Sequence, residues 1–353
     1  ANTEALGWGS TFTKTKDEFL DLQNEIATKL ASELKGGLDA SETQQLAQKA
    51  TENAEAQAEY QAGRREWNKR SKEGFENAIK HFEKAIELDP NYADPYAGLG
   101  DTYGLLPAYN FAEPKEAMPK AKSYAEEAIK LNPNLASAYT SIAWVQHMYE
   151  YDWAGAEANY KKGIQLNPNY ATGHQWYGIL LYSTGKAELA FDILSKAVEL
   201  DPNSKIIKCE LAQCCWMLNK TEQAHNVIDE ALAIDPLFRF ALQTKYIRLE
   251  DGDLEAALTI VEEARKKYPD QPGYLQMLFE LNWRSNNREK ALHNFIELLD
   301  LHQGSIQNVV VAELYFTMDE PENAYRWIQK AIDNRESLVT ITANDPSYRK
   351  FQS

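Results

Sequence analysis

Side chains able to do chemistry are present in this sequence, but their spacing does not assemble a metal or catalytic motif. The histidines are His81, His147, His174, His225, His293 and His302, and no two of them lie within four residues of each other. Metal-binding helices and knuckles instead bring their Cys and His ligands close together in short motifs. The sequence therefore predicts no metal ion. A nucleophile and a base that meet only in space stay open as an alternative.

Two glycine-rich stretches imitate nucleotide-binding loops. The first, Gly98–Gly104, reads GLGDTYG, and its GxGxxxG spacing differs from the dinucleotide fingerprint and lies inside a helical pattern. The second, Gly178–Lys186, reads GILLYSTGK and resembles a phosphate loop, but it is followed by Ala187 where Ser or Thr is required. We expect neither stretch to bind a nucleotide, and we expect a chain that is not an enzyme and carries no cofactor.

The charge balance restricts the partners. The 353 residues include 37 Lys and Arg against 53 Asp and Glu, for a formal net charge of −16. Phosphate backbones are repelled by such a surface, so we expect no nucleic-acid partner. No apolar run approaches the roughly 20 residues that cross a bilayer, so we expect no membrane contact by this chain.

The cysteines indicate the compartment. There are three, Cys209, Cys214 and Cys215, which argues against a disulfide framework and for a reducing environment. The sequence predicts a cytoplasmic location. The periplasm stays open as an alternative if the full-length protein has an upstream transmembrane segment.

A repeating unit of about 34 residues organises most of the chain. Six prolines, Pro90, Pro133, Pro168, Pro202, Pro236 and Pro269, are separated by 43, 35, 34, 34 and 33 residues. The longest interval holds an insertion that reads LPAYNFAEP. Extending the period predicts eight units between about Ala56 and Glu336, each made of two amphipathic helices, A and B, and a turn.

Small residues recur in register with these prolines. Alanine stands twelve residues before each of the six, at Ala78, Ala121, Ala156, Ala190, Ala224 and Ala257. It recurs five before five of them, at Ala85, Ala128, Ala197, Ala231 and Ala264. This pattern resembles the tetratricopeptide repeat. The resemblance implies an all-α, right-handed superhelical solenoid of antiparallel helix pairs. Gly163 in the third unit and Lys245 in the sixth depart from the pattern.

The same resemblance implies a concave groove lined by helix A of each unit. Transferring its register predicts groove residues Trp144, His147 and Met148 in the third unit, Gln175, Trp176, Ile179 and Tyr182 in the fourth, Cys209, Gln213, Trp216 and Met217 in the fifth, Phe240, Gln243 and Ile247 in the sixth, and Met277 and Trp283 in the seventh. A row of tryptophans facing water suggests a surface that a partner covers. The alternative is that a tight superhelix buries these rings against one another. The positions that hold a C-terminal carboxylate in chaperone-binding relatives carry no Lys or Arg here.

The segments outside the array have separate predictions. Residues 1–15 favour an extended remnant of an upstream region, 16–55 linker helices, 56–336 the array and 337–353 a C-terminal cap. Phe19–Ala27 is similar to the segment before the repeats in bacterial multidomain regulators, where a TolB-like region follows a cyclase or winged-helix effector. This resemblance implies that the chain is part of a regulator whose effector lies upstream.

Two hypotheses about function follow. The first is a non-enzymatic scaffold or sensory module that binds an apolar or aromatic segment of a protein or peptide in the groove. The second is a structural module that mediates self-association, such as a homodimer.

Overall fold

The structure is a computed structural model, and it describes residues 50–247, 254–269, 271–301 and 307–336. Within these ranges the chain is helical, and no β-strand occurs in them. The predicted segments 1–15 and 337–353, and residues 16–49 of the predicted linker, lie outside the described residues. Their predictions therefore stay predictions.

Sixteen α-helices in the described ranges form eight consecutive pairs. The first four pairs are α1 Ala54–Trp67 with α2 Lys72–Leu88, α3 Ala93–Leu105 with α4 Pro114–Leu131, α5 Ala136–Val145 with α6 Trp153–Leu166, and α7 Ala171–Ser183 with α8 Ala187–Leu200. The other four are α9 Lys205–Met217 with α10 Thr221–Ile234, α11 Arg239–Ile247 with α12 Leu254–Lys267, α13 Gly273–Arg284 with α14 Arg288–Leu301, and α15 Asn308–Thr317 with α16 Pro321–Asp333. The eight predicted units are confirmed as units 1 to 8.

The residue before each repeat proline explains how helix B ends. Asp89 leaves the helical conformation at φ −147°, as the proline after it demands, while its N–H still donates to the Ala85 carbonyl. Its side-chain Oδ1 accepts from the Asn91 N–H at 3.0 Å. Asn132 repeats both contacts in the second unit. A short Asp or Asn side chain thus satisfies the backbone of the turn that leads into the next unit.

Small side chains let the paired helices approach. All eleven alanines of the two registered positions are buried, at the interfaces between helices. At Gly163 even alanine would be tight, because its Cβ would lie 2.9 Å from Thr140 Oγ1 and 3.0 Å from the Ala136 carbonyl oxygen. This departure from the pattern therefore reflects a closer approach of α6 to α5. The other departure, Lys245, pairs with Asp229 at 2.8 Å.

The helices form two layers. Each helix packs chiefly on its neighbours in sequence, and each helix A also packs on helix A of the next unit. The first helices of the units therefore make one continuous inner layer, while the second helices make the outer one. Both glycine-rich stretches are explained by this arrangement, since Gly98–Gly104 lies within α3 and Gly178 lies within α7. Gly185 has φ +81° and makes the turn that follows α7.

Candidate functional site

The inner layer of A helices is tightly packed in units 3 and 4, where the predicted groove residues are shielded from solvent. We call this part the closed region. Trp144 and Trp176 lie on successive A helices with ring centroids 4.6 Å apart, and they are only 3 % and 1 % exposed. Trp144 Nε1 donates to the Gly104 carbonyl oxygen at 2.8 Å, so the ring fills the seam between α3 and α5. A Cβ on Gly104 would lie 2.9 Å from Trp144 Cδ1, which explains the glycine.

His147 and Met148 extend this closed region beyond Trp144 along the chain. Both are fully buried in a π-helical turn, Gln146–Glu150, that follows α5. His147 Nε2 lies 3.0 Å from Ser183 Oγ at the end of α7. Burial lowers the pKa of His147 to about 3, so the imidazole is neutral and joins the ends of two A helices.

The remaining predicted groove residues of unit 4 are buried as well. These are Gln175, Ile179 and Tyr182. Tyr182 donates from its hydroxyl to Glu210 Oε2 at 2.7 Å, which connects α7 to α9 of the next unit. Burial raises the pKa of Glu210 to about 7, while the Tyr182 hydrogen bond acts in the opposite sense.

Units 5 to 7 present a half-buried surface at the same register positions. The half-buried predicted residues are Gln213, Trp216, Met217, Phe240, Gln243 and Trp283, whereas Cys209 and Met277 are buried. Trp216 makes an edge contact with His225 of its own unit, at 5.8 Å between centroids. Arg288 of helix B covers Trp283, with Cζ 3.7 Å from the ring centroid. The side chain of Ile247 lies outside the described part.

The LPAYNFAEP insertion joins distant units across the concave side. It folds into a short 3₁₀ turn, Pro107–Tyr109, and buries Tyr109 against Phe75 and Phe240 at centroid distances of 5.2 and 5.1 Å. Asn110 follows in the left-handed conformation, and its Oδ1 accepts from the Gln307 N–H at 3.0 Å. The insertion in unit 2 therefore contacts both unit 6 and the start of unit 8.

A second set of contacts ties unit 3 to the end of unit 8. Tyr151, which follows the π-helical turn, donates from its hydroxyl to the Glu336 carbonyl oxygen at 3.4 Å. Arg335 donates to the Tyr149 carbonyl oxygen, also at 3.4 Å. The Glu336 carboxylate accepts from the Val309 N–H at 3.0 Å and so anchors the start of α15. The array is closed by polar contacts as well as by aromatic ones.

A buried ion pair supports the inner layer of units 1 to 3. Arg64 Nη1 lies 2.9 Å from Asp101 Oδ2, and Ser141 donates to Asp101 Oδ1 at 2.6 Å. The Asp101 side chain is fully buried. These three residues lie on α1, α3 and α5, so the network fixes three successive A helices to one another.

Sequence reasoning missed the residues that close the array. Tyr109, Asn110 and Gln307 were outside the repeat register, and only their aromatic-rich insertion was visible as extra sequence. The insertion's own composition was the available signal, because Tyr109 and Phe111 are large aromatic residues in what would otherwise be a polar turn. Nothing in a periodic pattern indicates which distant unit such a residue contacts.

Among the described residues, no group of three or more His, Cys, Asp or Glu side chains could hold a metal ion. The three cysteines are unpaired and buried. In the ranges that the structure covers, no helix combines the length and the apolar character that a bilayer span requires.

Three family models match parts of the sequence. A TPR repeat model matches residues 69–106, and two tetratricopeptide repeat models match residues 146–205 and 181–245. No curated protein matches the sequence.

Solved structures match this chain at low sequence identity and with TM-scores below 0.5. YrrB, described as a TPR protein with an unusual peptide-binding site, is 22 % identical; the match covers 55 % of this chain and 95 % of YrrB, with a TM-score of 0.34. Pseudomonas aeruginosa pilF is 15 % identical over 71 % of this chain and 93 % of its own, with a TM-score of 0.37. Yeast Tom70 is 19 % identical over 84 % of this chain and 65 % of its own, with a TM-score of 0.49.

Taken with the eight helix pairs and their registered alanines, the family matches identify the architecture. This chain contains tetratricopeptide repeats arranged as an all-helical solenoid.

Proposed function

We propose that the chain is a non-enzymatic scaffold that binds an apolar or aromatic segment of a protein or peptide on its concave face. The observation that carries this proposal is the half-buried surface of units 5 to 7. There the aromatic rings of Trp216, Phe240 and Trp283 stand beside Gln213 and Gln243 on successive A helices. Aromatic anchors next to amide groups suit a peptide, whose backbone needs hydrogen bonds while its side chains need apolar contacts.

The predicted groove residues divide into two roles in this proposal. The half-buried ones of units 5 to 7 contact the partner. Those of units 3 and 4, which include Trp144, Trp176 and Tyr182, form a buried floor that holds the A helices in place. Tetratricopeptide scaffolds are generally non-catalytic, which supports the non-enzymatic part of the proposal.

Peptide capture on an array tests the proposal. The probes are peptides of about twelve residues that place Phe, Tyr, Trp or Leu at alternate or helical spacing. Trp216→Ala and Trp283→Ala should each weaken capture by about 30-fold, because a central aromatic anchor contributes roughly 2 kcal/mol or more. The matched control is Trp153→Ala, since Trp153 lies on α6 in the outer layer and is 49 % exposed.

The outcome is read together with circular dichroism. Helical content should be unchanged in all three variants, because none of these tryptophans is fully buried. Equal capture by Trp216→Ala, Trp283→Ala and wild-type protein would contradict binding at this surface. Loss of capture in Trp153→Ala alone would move the site to the outer layer.

The regulatory part of the proposal is tested by the gene. We propose that binding is relayed to an effector in a bacterial regulatory protein, on the basis of the sequence resemblance in residues 19–27. The complete reading frame should then encode a cyclase, a winged-helix domain or another effector upstream. A reading frame without one would remove the regulatory role and leave the scaffold role intact.

Self-association is the second candidate, and exposed apolar residues of the outer layer favour it. Leu292 and Ile296 lie one turn apart on α14, while Tyr325 and Ile332 lie on α16, and all four are more than 40 % exposed. Exposed apolar residues that cluster on a surface are typical of an interface, and this candidate requires the four to lie on one face. Light scattering should show a dimer that Ile296→Lys converts to a monomer; a monomeric wild-type protein would exclude this candidate.

A further inference from the structure

A pocket of about 320 Å³ lies where unit 1 meets unit 6. One wall is Lys69–Ser71, the turn between α1 and α2. The opposite wall is Leu237–Phe240 at the start of α11, and Tyr268 and Tyr274 complete the lining. The pocket is therefore built by unit 1 on one side and by residues of units 5 to 7 on the other, which the closure of the array brings together.

The pocket is cationic in an acidic protein. Lys69, Arg70, Lys205 and Arg239 line it, against the single carboxylate of Asp235. Each lysine already has a partner: Lys205 pairs with Asp235 at 2.7 Å, and Lys69 pairs with Glu66 at 2.6 Å. The positive charge that is left belongs to the two arginines.

Arg70 is held in place without a counter-charge. It is only 8 % exposed, has φ +55°, and places its guanidinium carbon 3.4 Å from the centroid of Trp67. On the same indole, Arg64 Cζ lies 4.2 Å from the centroid, but Arg64 has Asp101 as a partner. Among the described residues Arg70 has neither an ion pair nor a side-chain hydrogen bond. The contrast between the two arginines leaves the guanidinium of Arg70 available to a ligand in the pocket.

Arg239 approaches the pocket from the opposite wall in a similar state. Its guanidinium carbon lies 3.8 Å from the ring centroid of Phe240, and its Nη1 donates to Gln243 Oε1 at 3.2 Å. No carboxylate of the described residues pairs with it. Burial lowers the pKa of both Arg70 and Arg239, the direction expected when a buried charge has too few partners.

We propose that this pocket binds a small molecule that carries a phosphoryl group, with the phosphoryl oxygens between Arg70 and Arg239. A guanidinium stacked on an aromatic ring presents its N–H edge in a fixed orientation, which suits bidentate contacts to an oxyanion. Two such groups call for a ligand with two negative charges. The pocket exceeds the volume of a phosphate ion several-fold, and Phe238, Tyr268 and Tyr274 supply an apolar wall for the organic part.

Binding at this place would stabilise the closed array. Arg70 belongs to unit 1 and Arg239 to unit 6, so one ligand adds a link between them. The two proposals share Phe240, which lines the pocket, but Trp216 and Trp283 do not line it, so their variants test peptide binding separately.

Thermal unfolding with added anions tests the site. The probes are inorganic phosphate, phenyl phosphate and succinate, each above neutral pH and at one ionic strength set with sodium chloride. Phosphate and phenyl phosphate should raise the Tm of the wild-type protein, with phenyl phosphate effective at lower concentration. Succinate separates a phosphoryl ligand from a dicarboxylate of equal charge.

Two variants and one control locate the effect. Arg70→Met and Arg239→Met should each weaken phenyl phosphate binding, measured by calorimetry, by about tenfold or more, since a charge-assisted bidentate contact is lost. Arg326→Met is the control, because Arg326 is exposed on α16 and does not line the pocket. Without anions, Arg239→Met should unfold at about the wild-type temperature, because it removes a half-buried charge that has no carboxylate partner among the described residues.

The results decide the proposal in either direction. No shift of the wild-type Tm with either phosphate, or equal affinity in wild-type protein and Arg239→Met, overturns it. A larger effect of succinate than of phenyl phosphate overturns the phosphoryl assignment. If Arg70→Met does not fold, Arg239→Met on the opposite wall supplies the same comparison.

Discussion

The inner layer of this solenoid contains two regions with the same repeat register and different surroundings. In units 3 and 4 the tryptophans occupy seams between successive A helices and are almost fully buried. In units 5 and 7 Trp216 and Trp283 contact helix B of their own unit and stay half-buried. The register of a repeat thus indicates which residues face inward, whereas the contacts between units decide whether an inward residue reaches solvent.

Truncating one tryptophan from each region should give the largest contrast. Trp176→Ala should lower the free energy of unfolding by about 3–5 kcal/mol, because it leaves a cavity beside Trp144. Trp283→Ala should cost about 1 kcal/mol, since its ring is partly solvated and is covered by a surface arginine. Urea unfolding followed by circular dichroism measures both. Equal losses would remove the distinction between the two regions.

Removing a buried ion pair from units 1 to 3 should lower the free energy of unfolding more than removing an exposed ion pair between units 5 and 6. Asp101→Asn leaves Arg64, whose side chain is 20 % exposed, without its counter-charge and should cost about 3 kcal/mol. Asp229→Asn is the matched change between units 5 and 6, where Asp229 pairs with Lys245 but its side chain is 60 % exposed. It should cost less than about 1 kcal/mol. A loss above that for Asp229→Asn would show that the second region is also held by charge.

Acid should weaken the closed region through His147. The folded-state pKa of about 3 lies below the ordinary value of 6.5, so the unfolded chain binds a proton that the folded chain excludes. Stability from this residue is complete above about pH 6.5 and falls as the pH is lowered toward 3, by at most about 1.4 kcal/mol per pH unit. His147→Gln should remove this part of the pH dependence in urea titrations at several pH values. An unchanged slope would contradict the neutral, buried imidazole.

Removing the closure contact should have a smaller effect than removing Trp176. Tyr109→Leu keeps an apolar side chain but removes the edge contacts with Phe75 and Phe240, at roughly 1 kcal/mol each. Hydrogen exchange should become faster in α11, while α5 and α7 of the closed region should keep their protection. Tyr325→Leu, at an exposed residue of α16, is the control. Unchanged exchange in α11 would show that the insertion does not stabilise unit 6.

The sequence was sufficient for the parts of the fold that repeat. The spacing of the prolines and the alanines of the two registered positions predicted eight helix pairs, because each unit solves the same local packing problem. Gly163 could not be interpreted, since its reason is the proximity of Thr140 and Ala136 on a neighbouring helix. The exposure of Trp176 could not be predicted either, because it depends on the position of Trp144.

The candidate sites also differ in whether they depend on one unit or on contacts between distant units. The groove register is a property of one unit and could be assigned from the sequence, although its role in binding stays a proposal. The pocket brings together Arg70 and Arg239, which are about 170 residues apart in sequence, and it depends on a left-handed backbone conformation at Arg70. Neither arginine interrupts the repeat pattern, so no sequence feature of one unit identifies it as part of a pocket.

The link between Asn110 and Gln307 has a consequence for how this protein unfolds. It spans 197 residues of sequence, whereas an open repeat array has only contacts between adjacent units and can fray from either end one repeat at a time. Because unit 2 contacts units 6 and 8, unfolding of the last repeat also exposes the insertion of unit 2. The terminal repeats therefore unfold together with the interior ones. The array therefore unfolds with the cooperativity of a globular domain. The contact between Asn110 and Gln307 forms late in folding, because a long loop must first close.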